Sequence, residues 1–266
     1  MERNNLIIIA VAGILLVLLA VYLVSSPSGE VDEKTVITVS AASSLTESFT
    51  QIEQEFEAEN PDIDVSLNLA SSGSLRMQIQ GGAPIDVFAS ASQNHMDILE
   101  SENMIDTDTR HDFAENSLVM IVPADSGSTI SSLEDLTSDE VGKVAIGDPE
   151  TAPVGKYAKE AMETASLWDD LSGKLVYGEN VKQVLVYVEN GEVDAGFVYM
   201  TDTVAVDEGQ IEIVADIPVT TPISYPIAVV SSSEEKDAGG KFVDFVLSDE
   251  GGAILEEYGF TVPDGN

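Results

Sequence analysis

VITVSAASSLTESF, from Val36 to Phe49, and DVSLNLASSGSLRMQI, from Asp64 to Ile79, carry the same order of features: an apolar strand, a turn rich in small hydroxyl residues, and the opening of a helix. A helix start leaves its first N–H groups without intrahelical partners and carries the positive end of the helix dipole, so each turn suits an anion. Ser44 and Ser72 lie 28 residues apart, close to the ~30 residues that one strand-helix-strand unit takes. A right-handed crossover makes the two strands parallel and brings both serine turns out at the same carboxyl edge of one sheet. Two helix starts then converge on one small ligand.

The alternation continues outward from these stretches. VITVS leads into a helix from Ser44 to about Glu59, and Ser44-Leu-Thr-Glu47 has the form of a capping box. DVSLNLA leads into a helix from Ser74 to about Gly81, and DVFASA into one near Gln93 to Glu102. A second set comprises the strands NSLVMIVPA, KVAIGD, KLVYG and DAGFVYM, with helices at SSLEDLTS, from about Gly155 to Ala165, and from Val181 to Asn190. YPIAVV then reads as a strand, and GGKFVDFVLS and EGGAILEEYG as helices. The pattern predicts an α/β fold with a largely parallel sheet covered on both faces.

The 19 uncharged residues from Leu6 to Val24 are long enough to cross a hydrocarbon core as a helix. Arg3 precedes this run and acidic residues follow it, so residues 1–5 are expected to form a cytoplasmic stub, 6–24 a membrane anchor and 25–34 a linker, with the bulk outside the cell. A cleaved signal segment is the alternative. The chain contains no cysteine anywhere, which leaves neither a lipid-modified Cys nor a disulfide framework to be expected.

The chain has 48 acidic and 11 basic residues; Glu2 and Arg3 precede the span, so 47 and 10 remain beyond it and carry the whole net charge of −37. Such a surface excludes nucleic acid as a partner, because phosphate contacts need a basic face. Asp169-Asp170 and Glu256-Glu257 read as solvated faces. His95 and His111 are isolated, which argues against metal ligation. Ser233-Glu-Glu-Lys236 has the S-x-x-K form but no companion motif, and the chain has no G-x-S-x-G, P-loop lysine or dinucleotide fingerprint. No enzyme chemistry is expected.

Four stretches together resemble the periplasmic molybdate-binding proteins of ABC importers, the ModA family: SAASSLTESF at 40–49, LASSGSLRMQIQGGAPIDVFASAS at 69–92, IGDPETAPVGKYAKEA at 146–161 and YGENVKQVLVYVENGEVDAGFVY at 177–199. The EYGFTVP ending also resembles that family, so the likeness runs from about Thr35 to Pro263. It implies a two-lobed type II periplasmic binding protein fold, with one lobe from 35–115 and 225–266, the other from 116–224, and the chain crossing between them near Asn116 and Ser224. It further implies a binding site for molybdate or tungstate, with Ser44 and Ser72 offering hydroxyl and backbone N–H, Val154 and Val181 backbone N–H, and Tyr199 its phenol. The partners implied are a small inorganic oxyanion and an ABC permease; no cofactor and a monomeric state are expected. Another tetrahedral oxyanion such as sulfate, or a membrane-tethered sensing ectodomain, stays open as an alternative.

The residues support the same reading independently. Pro153 before Val154, and Gly178-Glu-Asn180 before Val181, are turns that open helices. No Lys or Arg stands at the five positions, so the anion would be held by neutral, aimed donors. A protonated oxyanion would need an acceptor, and Asp148 and Glu150, the nearest in sequence, are expected to face away.

Overall fold

The computed structural model describes residues 34–263 apart from Ala205 and Glu208. The expected membrane anchor, stub and linker lie, except for Lys34, outside the described residues. Among the described residues, no helix is long and apolar enough to cross a membrane.

In chain order the first elements are β1 (Thr35–Ala42), α1 (Thr46–Glu59), β2 (Ile63–Ala70), α2 (Ser72–Gln80), β3 (Val87–Ala89), α3 (Gln93–Ser101) and β4 (His111–Asn116). They are followed by β5 (Leu118–Pro123), β6 (Val144–Gly147), α4 (Pro153–Thr164), α5 (Trp168–Leu171), β7 (Leu175–Gly178), α6 (Val181–Glu189), β8 (Ala195–Tyr199), α7 (Met200–Val204) and β9 (Ile211–Ile217). The chain closes with β10 (Ile223–Val229), α8 (Lys236–Val246) and α9 (Asp249–Glu257).

The strands form two five-stranded sheets, ordered β2-β1-β3-β10-β4 and β7-β6-β8-β5-β9. In the first, β1 runs parallel to β2 and β3, while β10 runs against both β3 and β4. The second repeats the plan: β6 is parallel to β7 and β8, and β5 opposes both β8 and β9. Each sheet is therefore largely parallel with one reversed strand in the fourth place. Pro226 lies in the reversed strand β10, and the register slips between Tyr225 and Pro226, where proline has no N–H for the ladder.

The chain changes sheets at Ser117, between β4 and β5, and over residues 218–222, between β9 and β10. Asn116 ends β4, and Ser224 already pairs with Glu115 inside the first sheet. The strands β4 and β9 do not follow from the pattern: each has one strand partner, β4 adding a bridge from Glu115 to Thr261, and charged positions weaken its apolar signal. SSLEDLTS forms only a 3-10 turn at Glu134–Thr137.

One apolar cluster extends through both sheets, and a smaller one, with Leu75, Phe88 and Met96, fills the space between the first sheet, α2 and α3. A relay of aromatic rings crosses from one sheet to the other. Phe113 on β4 meets Tyr225 on β10 at 6.2 Å, Tyr225 meets Tyr199 on β8 at 6.1 Å, and Tyr199 meets Tyr157 on α4 at 6.5 Å.

Candidate oxyanion site

The parallel register of β1 and β2 pairs Ala42 with Ala70, so the serine turns leave the first sheet side by side. In the second sheet β6 and β7 end in register at Gly147 and Gly178, and the helices that follow open at Pro153 and Val181. Ser44, Ser72, Val154, Val181 and Tyr199 all line one small cavity of about 10 Å³, together with Ser43, Ser71 and Asn180. All five are buried. Neither a carboxylate nor a cationic side chain reaches its wall.

The serine hydroxyls do not cap their own helices. The Ser44–Glu47 capping box is not formed: a 3-10 turn covers Ser43–Leu45, Leu45 precedes the first residue of α1, and no side chain caps that helix. Ser44 Oγ instead lies 3.0 Å from Tyr225 Oη, which also accepts from Asn116 Nδ2 at 3.1 Å. Either hydroxyl can donate in this pair; when Tyr225 does, the Ser44 proton is left for the cavity. Ser72 Oγ accepts the N–H of Ala91 at 3.0 Å, which likewise leaves its proton to donate. The α2 helix begins at Ser72 rather than Ser74, and Ser71, just before it, donates its hydroxyl to Ser74 Oγ at 2.8 Å.

Backbone donors complete the wall. Val154 and Val181 lie in the first turns of α4 and α6, whose N–H groups have no partner within their own helices. Asn180 caps α6 by accepting from Gln183 N–H at 3.1 Å, two residues beyond Val181. Tyr199 is 1% exposed, and its hydroxyl is buried without a hydrogen-bond partner. Leaving such a group unpaired costs about 1–3 kcal/mol unless a water or ligand atom supplies the partner that the protein does not. Burial, then the neighbouring Tyr225, Tyr157 and Asp202, raises the Tyr199 pKa well above the usual phenol range, which keeps it a donor at any physiological pH.

Asp148 and Glu150 do not line the cavity; the Asp148 carboxylate accepts the N–H of Glu150 at 2.9 Å within its own turn. No carboxylate that could take up an anion's proton stands among the lining residues. A surface groove of about 800 Å³ lies along residues 123–130 and 189–194. Its Asp194 carboxylate already binds the N–H groups of Gly142 and Lys143, and no buried unpaired donor faces it, so it does not compete as the site. Among the described residues, no His, Cys, Asp and Glu cluster fits a metal ion.

Behind the cavity, Lys182 joins two carboxylates. Its Nζ is 2.7 Å from Glu47 Oε2 on α1 and 3.1 Å from Oδ1 of the fully buried Asp202, an ion-pair distance without hydrogen-bond alignment. Asp202 Oδ2 also accepts the backbone N–H of Tyr199 at 3.1 Å. Burial pushes the Asp202 carboxyl up while Lys182 opposes the rise. Burial works to lower the Lys182 pKa, but the two acids outweigh it and hold the ammonium charged. Tyr225, Asn116, Glu47, Lys182 and Asp202 escape sequence reasoning because their partners are remote in the chain.

The chain matches the family model described as bacterial extracellular solute-binding protein over residues 37–261. It is 40% identical over 232 residues to the molybdate-binding protein ModA of Escherichia coli (strain K12), covering 85% of this chain and 89% of that protein. It is 36% identical over 234 residues to the putative ABC transporter substrate-binding lipoprotein YvgL of Bacillus subtilis (strain 168), covering 88% and 89%. A solved substrate-binding domain of a putative molybdenum ABC transporter from Clostridium difficile superimposes with a TM-score of 0.66 at 40% identity, over 87% of this chain and all of that one. The chain therefore belongs to the bacterial extracellular solute-binding proteins and, within them, to the ModA family.

Proposed function

We propose that this protein captures molybdate, and tungstate with it, between two lobes outside the cell and delivers it to an ABC permease. The observation that carries this reading is the buried, partnerless Tyr199 hydroxyl facing the same cavity as Ser44, Ser72 and the first turns of α4 and α6. Five donor positions around a wall without charge suit a fully ionised tetrahedral dianion, whose oxygens accept every bond and which carries no proton to place. Ser44 and Ser72 grip from the first sheet; Val154, Val181 and Tyr199 close from the second. The oxyanion is cargo, and no chemistry is done on it.

The sheets act as the cores of the two lobes, and the crossings at Ser117 and 218–222 serve as the hinge. Because ligand contacts are complete only when the lobes meet, the anion draws the population toward the closed form that a permease recognises. The protein works as a monomer, held at the membrane by residues 6–24 or released after cleavage of that segment. Calorimetry of the purified chain with molybdate, tungstate, sulfate and phosphate tests this: heat with the first two and little with phosphate is expected. Absence of binding to all four rejects it.

A further inference from the structure

Two contacts join the sheets on opposite flanks of the cavity, each within three residues of a pair of lining residues. On one flank Gly73, next to Ser72, donates its N–H to the Thr151 carbonyl at 2.9 Å, three residues before Val154. On the other, Lys182, next to Val181, meets Glu47, three residues after Ser44.

Gly73 sits inside α2, away from the left-handed region, so its own backbone does not require glycine. The demand comes from across the cleft: a Cβ at Gly73 would stand 2.5 Å from the Thr151 carbonyl oxygen and 2.8 Å from its Cα, and the three nearest atoms all belong to that residue. Rigid backbone cannot yield as a flexible side chain does. The residue is thus small for the sake of the approach between the halves, not for the fold of either. On the opposite flank, Asp202 holds Lys182 from its own side, and the bond to Glu47 is the part of the triad that crosses.

We propose that Gly73 and the Glu47–Lys182 pair are positioning elements for oxyanion capture. They set how closely the two sheets approach, and so bring the N–H groups of Val154 and Val181 to the hydroxyls of Ser72 and Ser44. The inference rests on the capture function proposed above. Gly73→Ala stops the approach short of full contact, whereas Glu47→Gln leaves the shape and removes the charge that resists reopening.

The test uses the full chain. Since it lacks cysteine, spin labels at Glu55→Cys on α1 and Thr164→Cys at the end of α4 report the separation of the halves by pulsed electron resonance. With molybdate as probe, Gly73→Ala and Glu47→Gln are expected to release the anion at least tenfold faster. The ligand-free melting temperature of Gly73→Ala should be unchanged or higher, a combination that loss of fold cannot produce. Molybdate should shorten the label distance less in Gly73→Ala than in the parent chain. Equal release rates and equal distance shifts overturn the proposal. If the parent chain responds to no oxyanion, the capture function fails, while the ligand-free distances still decide the positioning role: longer in Gly73→Ala supports it, identical distances overturn it.

Discussion

The Ser44 and Tyr225 hydroxyls lie 3.0 Å apart although 181 residues separate them in the chain. Asn116 Nδ2 donates to Tyr225 and holds its hydroxyl against Ser44, where either oxygen can donate to the other. Tyr225→Phe should weaken oxyanion binding by about 0.5–1.5 kcal/mol, the net worth of one hydrogen bond, without touching the ligand. Asn116 keeps its 2.8 Å bond to Thr201, so folding should suffer less than binding. Calorimetry alongside thermal melting separates the two effects.

Tyr199→Phe gives the complementary result. Its hydroxyl has no partner in the ligand-free protein, so removal should leave the melting temperature unchanged or raise it. Binding should fall by about 1.5–3 kcal/mol, the range for a bond to a charged group. Unaltered affinity would exclude the phenol from the site.

His95 should impose a stability loss at mildly acid pH. It is buried, its Nδ1 has no partner, and burial followed by the charges of Arg76 and Lys156 pushes its pKa down from 6.5 to about 4. As pH falls, the unfolded chain takes up this proton first. The stability present above pH 6.5 is therefore lost progressively toward pH 4. Urea unfolding at pH 7 and pH 5 should show a smaller decline in His95→Gln than in the parent chain; equal declines would remove His95 as a source.

Gly155→Ala should damage folding rather than closure. A Cβ there would overlap the carbonyl oxygen of Gly147, where α4 lies directly on β6 within one half of the molecule. Overpacking of this kind costs about 1–3 kcal/mol, so the urea midpoint should drop with or without oxyanion. The contrast with Gly73→Ala distinguishes a glycine that serves the fold from one that serves the approach of two halves.

The strands and helices nearest the site were legible because their signals are local: an apolar run, a turn of Ser, Pro or Asn, then helical periodicity. Those signals pick out Ser44, Ser72, Val154 and Val181 at helix openings, whereas Tyr199 at a strand end follows only from the family resemblance; the five line one cavity. The capping box misled because Ser44 and Glu47 both find partners elsewhere, Tyr225 and Lys182, and tertiary bonds override a local motif. Edge strands β4 and β9 were illegible because half of each faces solvent. Gly73 was quoted within ASSGS yet carries no sign of Thr151, since the need for a missing Cβ exists only across the cleft.

The swapped positions of β5 and β10 bear on how this chain is made. Strand β4 pairs with no strand but β10, and β10 begins at Ile223, beyond all of the second sheet. A nascent chain that has produced β1 to β4 must therefore hold an unfinished sheet, with the exposed edges of β3 and β4, until most of the protein has emerged. Such late, distant pairing is slow and prone to wrong association. A chain ending before residue 223 should accordingly fail to become compact and should collect as aggregate; the tail after α9 also matters, since Phe260 stacks on Tyr225 at 5.3 Å and Thr261 bridges Glu115 of β4. Completion of the first sheet waits until all of the second has been made, and ligand competence can arrive no earlier.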